Sequence, residues 1–276
     1  MEDLVRQAQS GDPSAVERLL EQIAPSIQRF GQRMCQNTAD SEDVLQDTLL
    51  NVLGHLKEFE GRSSFTSWVF SLTRSACTRR RRGLKNQAMA PLDDIGETLK
   101  STHTPEQGAS ERELSRLLES ALDRLSEEHR EVLLLRDVES LTAPEAADIL
   151  GISVDALKSR LHRARQALRQ ALRPVLEPQA AAASASCPDI MQLWSQKLEG
   201  DLDALDCAQM EKHLLTCPAC NSACSALKTA LMACRREATN DVSQEVQAQV
   251  KAAVRIWMNQ KQSTPPTAGD LEAPSR

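Results

Sequence analysis

Leu141 to Leu172 reads LTAPEAADILGISVDALKSRLHRARQALRQAL. Ala143 to Leu150 suits a short helix, Gly151 gives a tight turn, and Ser153 is a good N-cap for the helix that follows. Two short helices joined by a Gly-containing turn make a helix-turn-helix. Ala146, Ile149, Ile152, Leu157 and Leu161 are its expected core. In such a unit the second helix enters the major groove, and its N-terminal half meets base edges. Asp155, Ala156, Ser159 and Arg160 are assigned to the base-facing side. Lys158, Arg163 and Arg165 are expected on phosphates, and His162 belongs to the same helix. From Lys158 to Arg173 there are six basic residues and no acid. The plain alternative is a basic, solvated helix in a bundle, but turn, cap and charge agree on the DNA-reading unit.

The composition around this stretch narrows the fold. The chain has 276 residues, enough for two or three small domains. Aromatics are 3% and Tyr is absent, which argues against a β-sandwich or barrel. The expected class is all-α: two helical domains joined by a linker, and a third small helical, Cys-rich one. The 10 Gly form no phosphate-cradling loop. No apolar run reaches the ~18 residues of a membrane span, and the start MEDLVRQAQSGD lacks a signal-peptide pattern. The expectation is a cytoplasmic protein.

Net charge is −6, which on its face argues against nucleic acid. The average conceals local patches. Arg74 to Lys85 carries six bases and no acid, while acids gather at Asp40, Glu42, Asp43 and Asp47 and again at Glu199, Asp201, Asp203 and Asp206. The eight Cys are uneven as well. Cys35 and Cys77 stand alone, and the other six lie between Cys187 and Cys234.

Three helical blocks are expected, at 1–87, 111–176 and 187–261, with linkers at 88–110 and 177–186 and a disordered tail at 262–276. In the first block, helices are expected to open at Asp12-Pro13, at Ser41 and near Ser64. Late in the third, Val242, Val246, Val250, Val254 and Trp257 mark one face of an amphipathic helix. That helix is expected to pack on the Cys-rich bundle or on one of the preceding blocks.

The centre of the third block is His213-x-x-x-Cys217-x-x-Cys220. His213 and Cys217 are i, i+4, and Cys217 and Cys220 are i, i+3, a spacing that gathers N and S ligands around one ion. A fourth donor is available from Cys187, Cys207 or Cys224. Disulfides are a poor alternative in a reducing cytosol. Cys220, Cys224, Leu227, Leu231 and Cys234 follow one helical stripe. Cys234 lies ~15 Å beyond Cys224 on a continuous helix, too far for a shared ion unless the helix breaks. Surplus thiolate favours soft metals: Cu(I), Zn(II) or Cd(II).

Two segments carry a family resemblance. LDRLSEEHREVLLLRDVESLTAPEAADILGISVDALKSRLHRARQAL closely resembles region four of bacterial RNA polymerase sigma factors of the extracytoplasmic-function (ECF) group. SEDVLQDTLLNVLGHLKEFEGRSSFTSWVFSLTRSACTRRRRGLKN is similar to region two of the same family, with its acidic helix, its F-x-G-x-SSF-x-x-W stretch and a basic helix end. The resemblance implies that Glu42, Asp43, Gln46 and Asp47 dock on the polymerase clamp, with region four on the flap. It implies that Phe59 to Phe70 reads and melts the minus-ten promoter element. Four of the seven aromatics lie there, and aromatics stack with unpaired bases; Phe65 and Trp68, at i, i+3, equally fit a helix core. Arg62, Ser63, Ser64 and Trp68 are assigned to the unstacked strand, and Arg74 and Arg79 to Arg82, Arg80 among them, to phosphates. The C…HxxxCxxC pattern resembles the zinc-binding anti-sigma domain, in which the upstream Cys, here Cys187, completes a Cys₃His site. The Cys-rich tail also resembles CorE-type metal-dependent sigma factors. Those tend to carry Cys in the linker, and 89–110 has none.

The leading reading is a sigma factor for promoter-specific initiation whose activity is set in cis by metal at its C-terminal domain, zinc structurally, with copper or cadmium as candidate effectors. Its partners are core polymerase and promoter DNA, with the C-terminal domain touching regions two and four. A second reading is a sigma factor with a constitutive zinc module for recruitment or redox sensing. A third is a helix-turn-helix repressor or activator, which leaves the region-two match unexplained. No enzyme is expected, since none of the five His sits in a catalytic motif.

Overall fold

The computed structural model describes residues 1–35, 38–86, 116–176, 187–236 and 244–263. Among them every regular element is helical. The expected linkers 88–110 and 177–186 fall outside these residues, as does the tail beyond 263. No described helix is long and apolar enough to cross a membrane.

The first block is a bundle of α1 (Glu2–Gln9), α2 (Pro13–Met34), α3 (Thr38–His55) and α4 (Phe65–Asn86). Asp12 caps α2 by accepting from the Ser14 amide at 2.9 Å. α3 begins at Thr38, three residues before the expected Ser41 start. Ser41 is instead buried in the crossing with α2. Gly31 makes that crossing close, because a Cβ there would stand 3.5 Å from the Ser41 carbonyl and from Val44. Ser64 caps α4, accepting from the Ser67 amide.

The second block holds α5 (116–123), α6 (Glu127–Leu133) running into a π-turn (Leu134–Val138), α7 (Ala143–Leu150) and α8 (Val154–Leu176). A capping box, Thr142 with Glu145, opens α7. Gly151 ends α7 at φ +68°, a left-handed conformation that an L side chain rarely adopts. Ser153 then caps α8 through the Ala156 amide at 3.2 Å. Ala146, Leu157 and Leu161 are buried as expected, with Ile149 and Ile152 half-buried against the same core.

The third block contributes α9 (Ile190–Glu199), α10 (Ala204–Thr216), α11 (Pro218–Arg236) and α12 (Gln244–Ser263). Residues 187–261, read as one domain, divide their contacts. α9 and α11 pack on α8, and α11 also reaches the π-turn. α12 packs on α2 and α3, with Val246, Val250, Ala253 and Val254 buried in the first block's core. Each fully buried Val there contributes about 1.5–3 kcal/mol. The first and second blocks meet where α4 touches α7 and α2 touches α6.

Two glycines give opposite expectations. Gly151→Ala meets open space, so only its positive φ resists; it should cost about 1–2 kcal/mol. Gly54→Ala, exposed in the last turn of α3 with nothing within 4 Å and no positive φ, should gain about 0.4–1 kcal/mol. Thermal unfolding of the two variants, one midpoint lowered and the other raised, checks both.

Candidate functional site

The residues expected to face DNA are held in large part by the chain's own acids. Ser64 donates to Glu145 at 2.6 Å, across the first and second blocks. Glu145 also accepts from the Thr142 amide at 2.8 Å and hydroxyl at 2.7 Å. Partial burial works against its charge, yet these donors hold the carboxyl down at about 2. Arg74 forks onto buried Glu131 at 3.1 and 3.4 Å, and Arg81 pairs with Glu127 at 2.6 Å. Burial raises the pKa of Glu131, with Arg74 and then Arg81 opposing. Arg29 meets Glu139 at 3.1 Å on the same seam.

Arg80 turns inside the first block, 2.7 Å from Asp43 and 3.9 Å from Asp47. Of the acidic helix, Glu42 and Gln46 remain exposed. Arg62, paired with Glu60 at 2.5 Å, is exposed, as are Ser63 and Arg79. The aromatic stretch is split by burial. Phe65 and Phe70 are core, so neither reaches a base in this arrangement. Trp68 is half-buried, its ring centroid 5.1 Å from Phe59 and 5.6 Å from Phe65.

On α8, Asp155, Ala156, Ser159 and Arg163 are exposed, and His162 is half-buried. Arg160 pairs with Glu128 at 3.4 Å. Lys158 pairs with Asp201 of the third block at 2.6 Å. Arg165 departs from its expected place on phosphate. It is 1% exposed and forks onto Asp137 at 2.6 and 2.9 Å. It also donates to Ser195 Oγ at 2.6 Å and Glu199 at 2.9 Å, with its guanidinium 6.0 Å from the Trp194 ring centroid. Arg136 takes the other Glu199 oxygen at 2.9 Å. Burial opposes the charge on Arg165, but Asp137 and Glu199 outweigh it and raise its pKa. The helical phase carried the signal, since Arg165 is four residues after Leu161 and three before Leu168, on the buried stripe. Asp137, Trp194, Ser195 and Glu199 carried no sequence signal of this role.

Four side chains of the third block converge. Cys187 stands just before α9, His213 is in the last turn of α10, Cys217 ends that helix, and Cys220 is in the first turn of α11. Their ligand atoms all lie within 4.8 Å of one another, and the Cys187 and Cys217 sulfurs are 3.8 Å apart. Nε2 of His213 is buried without a hydrogen-bond partner, an arrangement that fits a metal ligand. The Cys220 amide points at the Cys217 sulfur and holds its thiol below the usual range, despite some desolvation. Burial, together with hydrogen bonds to Cys217 and Cys187, pushes Cys220 up to about 12.

Cys207 and Cys224, the other two expected ligands, are not in this group. The Cys207 thiol lies 3.7 Å from Glu211. Cys224, one turn beyond Cys220, is buried on the α11 stripe with Leu227 and Leu231. α11 runs unbroken to Arg236, so no break brings Cys234 back to the group. None of the seven described cysteines is in a disulfide.

A family model described as Sigma-70 region 2 matches residues 19–87, one described as Sigma-70, region 4 matches 115–168, and a zinc-finger model matches 187–221. The chain is similar to RNA polymerase sigma factor YlaC of Bacillus subtilis, 31% identical over 156 residues, covering 56% of this chain and 90% of YlaC. It is 33% identical over 162 residues to RNA polymerase sigma factor CarQ of Myxococcus xanthus, covering 58% and 90%. Among solved structures, sigma factor RpoE in complex with the anti-sigma factor NepR, from Bartonella quintana, matches over 56% of this chain and 95% of that one. The identity there is 24% and the TM-score 0.47.

Removing Arg165 takes the forked cation from buried Asp137 and leaves the buried Glu199 carboxylate to Arg136 alone. Arg165→Ala is expected to cost about 3–5 kcal/mol, while Arg163→Ala, on the exposed side of the same helix, should stay within about 0.5 kcal/mol. Urea unfolding of the two variants measures the difference.

Proposed function

Because this chain belongs to the ECF family of RNA polymerase sigma factors, we propose that its Cys-rich C-terminal block restrains that activity in cis. A sigma factor is a DNA-binding factor for transcription initiation and not a classical enzyme. The restraint rests on one observation above all: the block grips both sigma regions by separate surfaces. α9 and α11 hold α8 of region four, and α12 covers α2 and α3 of region two.

One ion pair with the C-terminal block supports the same reading, Lys158 on Asp201, and the seam between regions two and four occupies further cations in the same way. Arg74, Arg81 and Lys158 each lie on a carboxylate of the chain itself. To meet promoter phosphate they must first leave Glu131, Glu127 and Asp201. DNA and the closed arrangement thus compete for the same cations, and the occupied fraction follows their relative affinities. A tethered block needs little intrinsic affinity, because its effective concentration is already ~mM. Asp155, Ala156, Ser159, Arg160 and His162 remain the proposed minus-thirty-five reading face, with Lys158 and Arg163 on phosphate. Arg62, Ser63, Ser64, Trp68, Arg74, Arg79 and Arg80 remain the minus-ten face. Glu42, Asp43, Gln46 and Asp47 are the proposed polymerase-docking acids.

Cys187, His213, Cys217 and Cys220 would hold the metal, and three thiolates with one imidazole suit zinc. A bound cation supplies a cross-link among the segment before α9, the end of α10 and the start of α11. Those are the segments that position Ser195, Glu199 and Asp201 against α8. The metal site thereby supports the grip on region four without touching DNA.

Two measurements check this. Elemental analysis should find one zinc per chain, retained in Cys207→Ser and lost in Cys217→Ser and His213→Ala. In run-off transcription with purified core polymerase, Val250→Asp should release α12 and raise transcript yield several-fold, as should Cys217→Ser. Equal or lower yield from Val250→Asp, with polymerase binding intact, would sink restraint by the C-terminal block.

A further inference from the structure

The third block holds the two sigma regions in different ways. Against region four its contact is charged as well as apolar. Arg165 of α8 donates to Ser195 at 2.6 Å and Glu199 at 2.9 Å, both on α9, and Arg136 takes the second Glu199 oxygen. Met191 of α9 and Leu227 of α11 share one core with Leu161 and Leu168 of α8. Lifting α9 off α8 breaks these buried ion pairs and opens that core in a single step. Against region two the contact is apolar. The buried side chains of α12 are Val246, Val250, Ala253 and Val254. Gln249, on the same stripe, has its Oε1 buried without a hydrogen-bond partner, a cost carried for as long as α12 stays in place.

The two contacts also belong to separate bodies. Cys187, His213, Cys217 and Cys220 draw together the start of α9, the end of α10 and the start of α11, and α12 supplies none of the four. α9 and α11 pack on region four, and α12 packs on region two.

We propose that the block opens at the join between α11 and α12, so that α12 alone leaves region two when core polymerase binds, while α9 to α11 remain on region four as a standing part of it. This rests on the restraint in cis proposed above and assigns the moving part. The reading helix allows it. Leu157, Leu161, Arg165, Leu168 and Leu172 form the held stripe of α8. Asp155, Ala156, Ser159 and Arg163 lie on the other side and are exposed with α9 and α11 in place, so the base-facing side stays open. Lys158 needs only to swing from Asp201 to a phosphate. An anchor that stays also keeps α12 close by, at high effective concentration, ready to cover region two again once polymerase departs.

Photocross-linking of the full, zinc-loaded chain tests this. p-Benzoylphenylalanine is placed singly at Trp194, beside Arg165 on the α8 side of α9, or at Trp257, packed against the core of region two. In the chain alone, the first probe is expected to cross-link to α8 and the second to α2 or α3. With core polymerase bound, the probe at Trp194 should keep its cross-link at undiminished yield, and the probe at Trp257 should lose its own several-fold. Loss of both cross-links would overturn the anchor and leave restraint in cis standing. Retention of the Trp257 cross-link in the polymerase-bound chain would overturn the restraint itself and the proposal with it. A second measurement keeps both tryptophans. Protease sites placed within 177–186 and 237–243 are cut after the chain has folded, and tagged core polymerase is added and recovered. Mass spectrometry should find fragment 187–236 in the recovered complex and the α12 fragment in the unbound fraction. A recovered complex that contains region four without fragment 187–236 would likewise overturn the anchor.

Discussion

Arg165 is the charge on which the arrangement turns. A guanidinium taken out of water costs several kcal/mol unless carboxylates and other acceptors surround it. Asp137 meets one edge, Ser195 and Glu199 take other donors, and Arg136 balances the second carboxylate. Two positive and two negative groups are thus sealed together. Two of the acceptors, Ser195 and Glu199, come from α9, so the second block is not electrostatically complete on this face without the third. Such clusters are weak as net stabilisers and strong as discriminators, because a displaced partner leaves an unpaired buried charge. The position of α9 on α8 is therefore fixed more sharply than apolar packing alone would fix it.

The seam between the sigma regions follows a simpler rule. Region two supplies cations (Arg29, Arg74, Arg81) and region four supplies carboxylates (Glu139, Glu131, Glu127). Arg74 and Arg81 belong to the same basic helix that the family resemblance assigns to promoter phosphate. On that assignment one set of charges would serve the seam and the nucleic acid in turn. Glu145 adds a polar link, since the carboxylate that completes the α7 capping box also takes the Ser64 hydroxyl. Region two can leave Glu145 without opening the helix cap.

Much of this was legible in the residues. The helix-turn-helix was visible because Gly151, Ser153 and the apolar phase all act locally. His213, Cys217 and Cys220 were visible because they stand four and three residues apart, although Cys217 and Cys220 meet across the break between α10 and α11 rather than along one helix. Cys187 is 26 residues from His213, and only the family pattern singled it out from Cys207 and Cys224. Arg165 was misread because a basic residue in a basic run looks like its neighbours. Its phase placed it on the buried stripe, but its acids lie far away in sequence, at Asp137 and Glu199. The α3 start was misread for a related reason: Ser41 has the chemistry of a cap, and a close crossing at Gly31 buried it in mid-helix.

The covering helix also comes late in the chain. α8 ends at Leu176, and α12 ends at Ser263. A ribosome adding ~5–20 residues per second releases both sigma regions on the order of ten seconds before it finishes that helix. During that interval the α2–α3 face that Val246, Val250 and Val254 will cover is already made and still bare. Every newly made molecule thus passes through a short open period, and how often the nascent chain meets polymerase in that period depends on the rate of translation as well as on any equilibrium in the finished protein.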